Sequence, residues 1–577
     1  MRKPRSFHFN LSSKKPVSAL ALAGLLIHSG SAQSGMRPDA AILLTVGATV
    51  QQAKQKSAEQ HYAQGIALLQ QNNLARAAAE FRAAVRLRPD FAEAHNALGL
   101  ALGQQGRLDA AIASFREAVR LMPEFGEAHG NLGLALQQKG ELDEAIHELR
   151  AFVRVQPDKA EAHSALGFAL GRKGDTSAAL AEFETAVKLK PDFEEAQFRL
   201  GVTHWLVGEY AAALQPLREA ARLKPDHVEA HYYLGLVLHK NGDVVRAIES
   251  LRRAVALAPQ VAEAHSALGA ALAADEDYDG ALNALRTSLK LKPDLIEARI
   301  QLGLALIEKR DAEGAVAEFQ TVLKQDAKNL TAYHNLGLAL MQKADYAGAI
   351  NVYRQLLQMA PDDAEAYYNL GVALKYKDDF AGATEALRRS IALRPALPEA
   401  HYTLGIILWQ QGKLDEAVRA FRGALAAKPD FAEAHYTLGT VLQQKGDLDG
   451  AIAEFRVAIK LAPRSPEVRN TLGTTLRQKG DLEAARAEFQ EAARLNKLKS
   501  NNQAAIFATN TGAQKLKEGE LDAAIERFEA AIKLDPEYAQ AHYQLGLALR
   551  KKGARAAAQT AFQRAQQLDR RLRPPPQ

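Results

Sequence analysis

Apolar and small side chains alternate along this chain in two kinds of stretch. In AEAHYTLGTVLQQKG, residues 432–446, Ala434, Leu438, Gly439 and Leu442 fall on one helical stripe. Gly446 then supplies a helix stop. In the following LDGAIAEFRVAIKLAP, Leu448, Ala451, Ile452, Phe455, Ala458, Ile459 and Leu461 lie mostly on one face. Pro463 ends that stretch, because proline cannot continue the hydrogen-bond ladder. The pattern predicts a helix–turn–helix unit. Asp430 with Glu433, Asp90 with Glu93 and Asp192 with Glu195 read as D-x-x-E caps at the start of the first helix.

The unit recurs. Gly65, Gly99, Gly133 and their successors to Gly473 are spaced by 34 residues, and after a five-residue slip the series resumes at Gly512 and Gly546. Twelve residues after each glycine stands an alanine, from Ala77 to Ala558. Two helices 8–10 Å apart cannot meet over large side chains, so this glycine and alanine are expected to let them close. Phe81, Phe115, Phe183, Phe319, Phe421, Phe455, Phe489, Phe528 and Phe562 are expected to fill the space toward the next unit. A length of 577 residues would suggest about four domains, but a stack of copied units has no separate cores to count.

These phrases (L-G, then A, F and P at fixed offsets) resemble the tetratricopeptide repeat family, over fifteen units from Ala58 to Leu572. The resemblance implies an all-α fold, a right-handed superhelical solenoid of about fifteen helix–turn–helix repeats, with a concave groove lined by the first helices. Units 1–13 span residues 58–499 and units 14–15 residues 505–572, with residues 500–504 as an inter-repeat break and candidate hinge. Residues 33–57 read as a linker or N-terminal capping helix, and 573–577 as a proline-rich tail. The departures are specific. The fourth position, a bulky aromatic in the family, is often histidine: His61, His95, His129, His163, His231, His265, His401, His435 and His542. Ala327 and Lys497 stand where the closing proline is expected.

Charge is unevenly placed. Residues 1–32 hold Arg2, Lys3, Arg5, Lys14 and Lys15 and no acid, followed by the apolar run Val17 to Ile27 and the small residues Ser29 to Ala32. This order reads as a secretory signal cleaved after Ala32, and the run is too short to span a bilayer. The chain is then expected to be exported to a periplasm or secreted, or to be cytoplasmic if the signal is not real. Without that segment, 68 basic residues face 67 acidic ones. The last unit and tail are basic, from Arg550 to Arg573, and the body before them carries net −6. A body of that sign does not predict nucleic-acid binding. With no cysteine, disulfides and thiolate chemistry are excluded.

The chain has no G-x-x-x-x-G-K, H-E-x-x-H or EF-hand motif, so no catalytic residue, metal or cofactor is assigned. The histidines recur two helices apart, too far for shared ligation of one metal. They are expected to pack between helices, each with one ring nitrogen on a polar partner, so that protonation in acid loosens the stack. The glutamates of the second position, such as Glu93, Glu365, Glu399 and Glu433, offer two readings, a binding stripe for a basic peptide or helix N-terminal residues, and the second is favoured.

Function is expected in the groove, which in the family takes positions five, nine, twelve and thirteen. Position five offers Tyr62, Phe198, Tyr232, Tyr368, Tyr402 and Tyr436, and position twelve Trp205, His239 and Trp409. Position thirteen offers Gln138, Gln342 and Gln444. Tyrosine and tryptophan give contact area at low entropy cost, and amides bond a peptide backbone of any sequence. Lysine is missing at position five and asparagine at position nine, so the family's carboxylate clamp is not expected. Asn131, Asn335 and Asn369 are similar to the asparagine row in repeats of O-linked N-acetylglucosamine transferases, but the row is sparse and no glycosyltransferase domain is recognised. The expected function is a non-enzymatic scaffold that binds a protein or peptide, with no integral membrane span. The alternatives are a transferase-related protein working with a catalytic partner in trans, or an envelope assembly factor. The sequence does not set the oligomeric state.

Overall fold

A computed structural model describes residues 38–572 and residue 574, with the side chains described from residue 51 onward. The expected export signal lies outside the described residues. Within them the chain forms 29 α-helices, from Pro38–Gln70 to Arg555–Leu568, and no strand. The array divides into two units, one ending at Ala305 and one beginning at Leu306.

In the unit that ends at Ala305, the pair Ala92–Gln104 and Leu108–Leu121 illustrates the repeat. The second helix buries Ala111, Ile112, Phe115 and Ala118, a helical stripe. Ala92–Gln104 closes with bonds from the Gly106 N–H to the Gly103 carbonyl and from the Arg107 N–H to the Leu102 carbonyl. Gly106 takes φ +77° there, a conformation that costs an L side chain. Asn72, Glu276, Arg310, Ala344 and Asp378 take the equivalent left-handed position without being glycine.

The role of the spaced glycine differs from the expected one. A Cβ on Gly99 would lie 2.5 Å from the Phe115 ring, and one on Gly133 would lie 2.6 Å from Leu149. The glycine therefore makes room for the large residue sixteen places on, and Phe115 turns onto its own unit's glycine. The same rings also reach forward: Phe81 and Phe115 share one buried cluster with Leu98 and Leu132 of the following units.

The expected D-x-x-E caps are not formed. The N-caps of Ala92–Gln104, Glu194–Val207 and Ala432–Gln444 are Phe91, Phe193 and Phe431, without a side-chain bond. Among first helices Asp363 caps Ala364–Tyr376, accepting from the Glu365 and Ala366 N–H groups at 3.0 Å, and a recurring row of capping aspartates belongs to the second helices. Asp277, Asp311, Asp345, Asp379 and Asp447 each accept from the N–H three residues on, at 2.9 Å. That N–H belongs to a glycine, and a Cβ there would press on the carboxylate, 2.4 Å away at Gly280.

In the unit that begins at Leu306, the expected break at residues 500–504 is not a break. A single helix, Leu482–Glu518, runs through it for 37 residues. Residues 496–503, NKLKSNNQ, contain neither glycine nor proline, and Lys497 replaces the proline that would have stopped the helix. The second helix of unit 13 and the first helix of unit 14 are one rod. At the other end of the array, residues 38–57 are helical and continuous with the first helix of unit 1.

Candidate functional site

The histidine row is structural. Eight rings place Nε2 on the carbonyl of the proline six residues earlier, among them His95 on Pro89 at 3.0 Å and His163 on Pro157 at 2.8 Å. Gln197 donates to Pro191 in the same way, at 2.9 Å. This contact ties the entry of each first helix to the preceding turn, and it explains a hydrogen-bonding residue in place of an aromatic one. Where position 23 is glutamate, Nδ1 meets its carboxylate: His61–Glu80, His129–Glu148, His163–Glu182 and His435–Glu454, each at 2.6 Å.

The fifth-position residues sit at the seam between successive first helices. In the first unit, Tyr62 is half-buried between Phe81 and Phe91, with ring centroids 5.9 and 5.0 Å away. Burial, with Glu93 and Glu127 nearby, pushes its phenol pKa up. Phe198 lies against His227 at 4.5 Å, and Tyr232 against Tyr233 at 5.3 Å. Burial strongly raises the Tyr232 phenol. Trp205 lies tilted against Tyr210, ring centroids 4.9 Å apart, beside the exposed Leu206 and Val207. Burial lowers the His239 pKa, with Lys240 adding to it. Gln138 is exposed, and Asn131 donates to Asn96 of the preceding unit at 3.0 Å.

In the part of the array that begins at Leu306 a continuous row forms. Burial raises the Tyr368 phenol, whose hydroxyl bonds Thr403. Tyr402 meets Thr437 at 3.3 Å and Tyr436 meets Thr471 at 3.4 Å. Each tyrosine thus reaches the sixth position of the next unit, 35 residues on. Trp409 Nε1 donates to Gln444 at 2.7 Å and Gln443 donates to Gln478 at 2.9 Å, again 35 residues apart. Gln342 donates backward, to the Ile307 carbonyl at 3.0 Å. Asn335 bonds its own helix at Thr331, and Asn369 is half-buried at the same position.

The groove polar groups are therefore largely tied between neighbouring helices. The threonines of the sixth position were not expected to take part; the signal for them is the recurrence of Thr403, Thr437 and Thr471 one step beyond the tyrosines.

The glutamate row differs between places. Glu59 pairs with Arg88 at 3.2 Å, Glu161 with Lys190 at 3.2 Å and Glu263 with Lys292 at 2.9 Å. Glu365, Glu399 and Glu433 are exposed, with no ion pair among the described residues. They flank Tyr368, Tyr402 and Tyr436 on helices Ala364–Tyr376, Pro398–Gln410 and Ala432–Gln444. Among the described residues no three side chains are placed to hold a metal, and no helix is long and apolar enough to cross a membrane.

Family models for the tetratricopeptide repeat match residues 62–124, 165–228, 207–262, 246–296 and 402–466, then 102–167 and 272–339, and then 364–397, 466–497 and 539–571. A TPR repeat model matches residues 339–378 and 512–553. The chain belongs to the tetratricopeptide repeat family. No curated protein matches it. Among solved structures it is similar to MamA from Desulfovibrio magneticus RS-1, at 25% identity over 30% of this chain and 96% of that one, with a TM-score of 0.28. YrrB, described as a TPR protein with an unusual peptide-binding site, matches at 22% identity over 32% and 95%, with a TM-score of 0.29. Yeast Tom70 matches at 16% identity over 76% and 97%, with a TM-score of 0.36.

Proposed function

We propose that the chain is a non-enzymatic scaffold that holds an extended, basic segment of a partner protein along helices Ala364–Tyr376, Pro398–Gln410 and Ala432–Gln444. The observation that carries this reading is the row Glu365, Glu399 and Glu433, exposed and without ion pairs beside a line of tyrosines whose hydroxyls are already occupied. Trp409 and Ile406 supply adjoining apolar surface. Neighbouring helices stand roughly 8–10 Å apart, and a polyproline II chain advances about 3.1 Å per residue with every third side chain on one face. The row therefore suits a segment with lysine or arginine at about every third residue. The N-terminal segment, read as an export signal, would place this scaffold outside the cytoplasm; sequencing the mature N-terminus checks that.

Fluorescence anisotropy with a labelled extended peptide carrying lysine at every third residue tests the groove. Binding should weaken with salt and disappear in Glu399→Lys with Glu433→Lys, because exposed charges are screened and reversal repels. Equal binding by the double variant, or by a neutral peptide of the same length, defeats the reading.

A further inference from the structure

At ordinary junctions the first helix of one repeat covers the second helix of the repeat before it. Ile112 and Phe115 share a buried cluster with Leu132 and Ala135 of the next unit. Val187 packs against the buried cluster that holds Ala196, and Ile532 against the one that holds Ala541, in the same relation.

Along Leu482–Glu518 this cover is missing. The helix is unbroken through the place where the chain turns elsewhere, so the first helix of unit 14 does not fold back over unit 13. Leu482 is 66% exposed and Phe507 75% exposed. Phe489 is half-exposed, whereas its equivalents Phe421 and Phe455 are fully buried. Leu482, Ala485, Phe489 and Ala493 line a shallow pocket on the uncovered face, with Arg477 and Arg486 at its edge.

The two uncovered faces have changed together. Arg486 stands where Ile112 stands in its unit, and Thr511 and Gln514 stand where Leu132 and Ala135 do. An apolar contact has become a polar one on both sides. Phe507 stands where Ala196 and Ala541 do, and Ala493 where Val187 and Ile532 do. Bulk has moved from one face to the other, which leaves the pair complementary in size.

We propose that two copies of this chain stack reciprocally, with unit 14 of each seated on the open face of unit 13 of the other and the two long helices antiparallel. A 37-residue helix is about 55 Å long, so the two faces of one copy are held apart. In a second copy they meet with a two-fold axis, and the assembly closes as a dimer. Phe507 fills the pocket around Phe489 and Ala493, and Arg486 bonds Thr511 and Gln514 of the other copy. The match of polar to polar excludes the ordinary apolar repeat faces from this position.

Sedimentation of the full chain tests this. The wild type should form a dimer at micromolar concentration, and Phe507→Glu should weaken it by about tenfold or more, as expected for an aromatic anchor. Because Phe507 is exposed in the single chain, helicity should not change, and at concentrations below the dimer range the variant should melt with the wild type. The chain has no cysteine, so Arg486→Cys with Gln514→Cys in one chain provides a second readout. These positions lie about 42 Å apart along one helix, so an oxidised covalent dimer is expected and an intrachain bond is not. A monomer at every concentration overturns the proposal and makes Arg486, Thr511 and Gln514 end-capping substitutions, like Gln64 and Gln559 at the outer ends. A dimer that survives Phe507→Glu without forming the disulfide overturns it too.

Discussion

Tyr353 presses its ring against Gly337, and its hydroxyl is buried there without a hydrogen-bond partner among the described residues. Burial raises the phenol pKa strongly, so the group stays protonated. The equivalent residue is phenylalanine or leucine in other units, for example Phe319 and Leu387. Leaving a polar group buried and unpaired costs about 1–3 kcal/mol. Tyr353→Phe is therefore expected to stabilise the chain by roughly 1 kcal/mol or more. Because repeat stability is roughly nearest-neighbour, hydrogen exchange in residues 330–360 is the sharper measurement. Faster exchange in the variant would mean that the hydroxyl has a partner.

Gly405 shows the opposite constraint. A Cβ there would lie 2.7 Å from the fully buried Phe421 ring. Gly405→Ala should cost about 1–3 kcal/mol through overpacking, in spite of alanine's better helix propensity. With Phe421→Ala in place, Gly405→Ala should cost little further, because the ring it would meet is gone; Phe421→Leu should give no such relief, because a Cβ on Gly371 would lie 2.7 Å from Leu387 in that arrangement. Chemical denaturation of the single and double variants measures the coupling.

Ala344 occupies the left-handed region at φ +61° without the freedom of glycine. Its counterparts Gly412 and Gly446 take φ +73° and +86°. Ala344→Gly should relieve about 1 kcal/mol of strain, partly offset by the greater freedom of glycine in the unfolded chain. A lower melting temperature in this variant would refute the strain.

Tyr402 combines two ring contacts, to Phe421 at 5.7 Å and Phe431 at 5.0 Å, with a hydroxyl on Thr437. Tyr402→Ala should destabilise its unit by roughly 2–3 kcal/mol, below the usual range for fully buried aromatics because the ring is half-buried. Tyr402→Phe should cost about 1 kcal/mol or less, the worth of one hydrogen bond. Comparing the two by denaturation separates ring packing from the hydroxyl.

These contacts show which parts of the fold are legible in the sequence. The 34-residue period is legible because Gly99 and Phe115 constrain each other sterically, and steric constraints permit few residue types. The aromatic row is legible as residue types, but its bonding is not. Tyr402 and Thr437 are 35 residues apart, a relation fixed only when adjacent first helices are set side by side. The D-x-x-E reading fails at Asp90 and Asp430 because Phe91 and Phe431 take the cap positions, while the recurring aspartate caps, such as Asp447, lie before the second helices. The slip at residues 500–504 reads as a break from spacing alone. What decides it is the lack of any residue there that ends a helix.

Acid is expected to act on the histidines with two signs. The expectation that protonation loosens the stack fails at His129. There the Glu148 carboxylate, bonded to Nδ1 at 2.6 Å, raises the pKa, burial opposes it, and the Pro123 carbonyl on Nε2 adds to the rise. Both partners accept, so the doubly protonated ring is the form this geometry favours. A histidine whose folded pKa is raised contributes stability that is fully present below the unfolded value of about 6.5 and is lost as pH rises through the folded value. At His231 burial lowers the pKa, the Pro225 carbonyl opposes this, and Arg253 and His227 add to the fall. Its contribution is lost as pH falls from about 6.5 through the folded value. Moving from pH 7 to pH 5.5 should therefore tighten unit 3 and loosen unit 6. Histidine ring resonances followed through a pH titration should give a midpoint above 6.5 for His129 and below 6.5 for His231. Glu148→Gln should bring the His129 midpoint down while leaving that of His231 unchanged. If His129 titrates below 6.5 in the native protein, the ion pair with Glu148 does not control it.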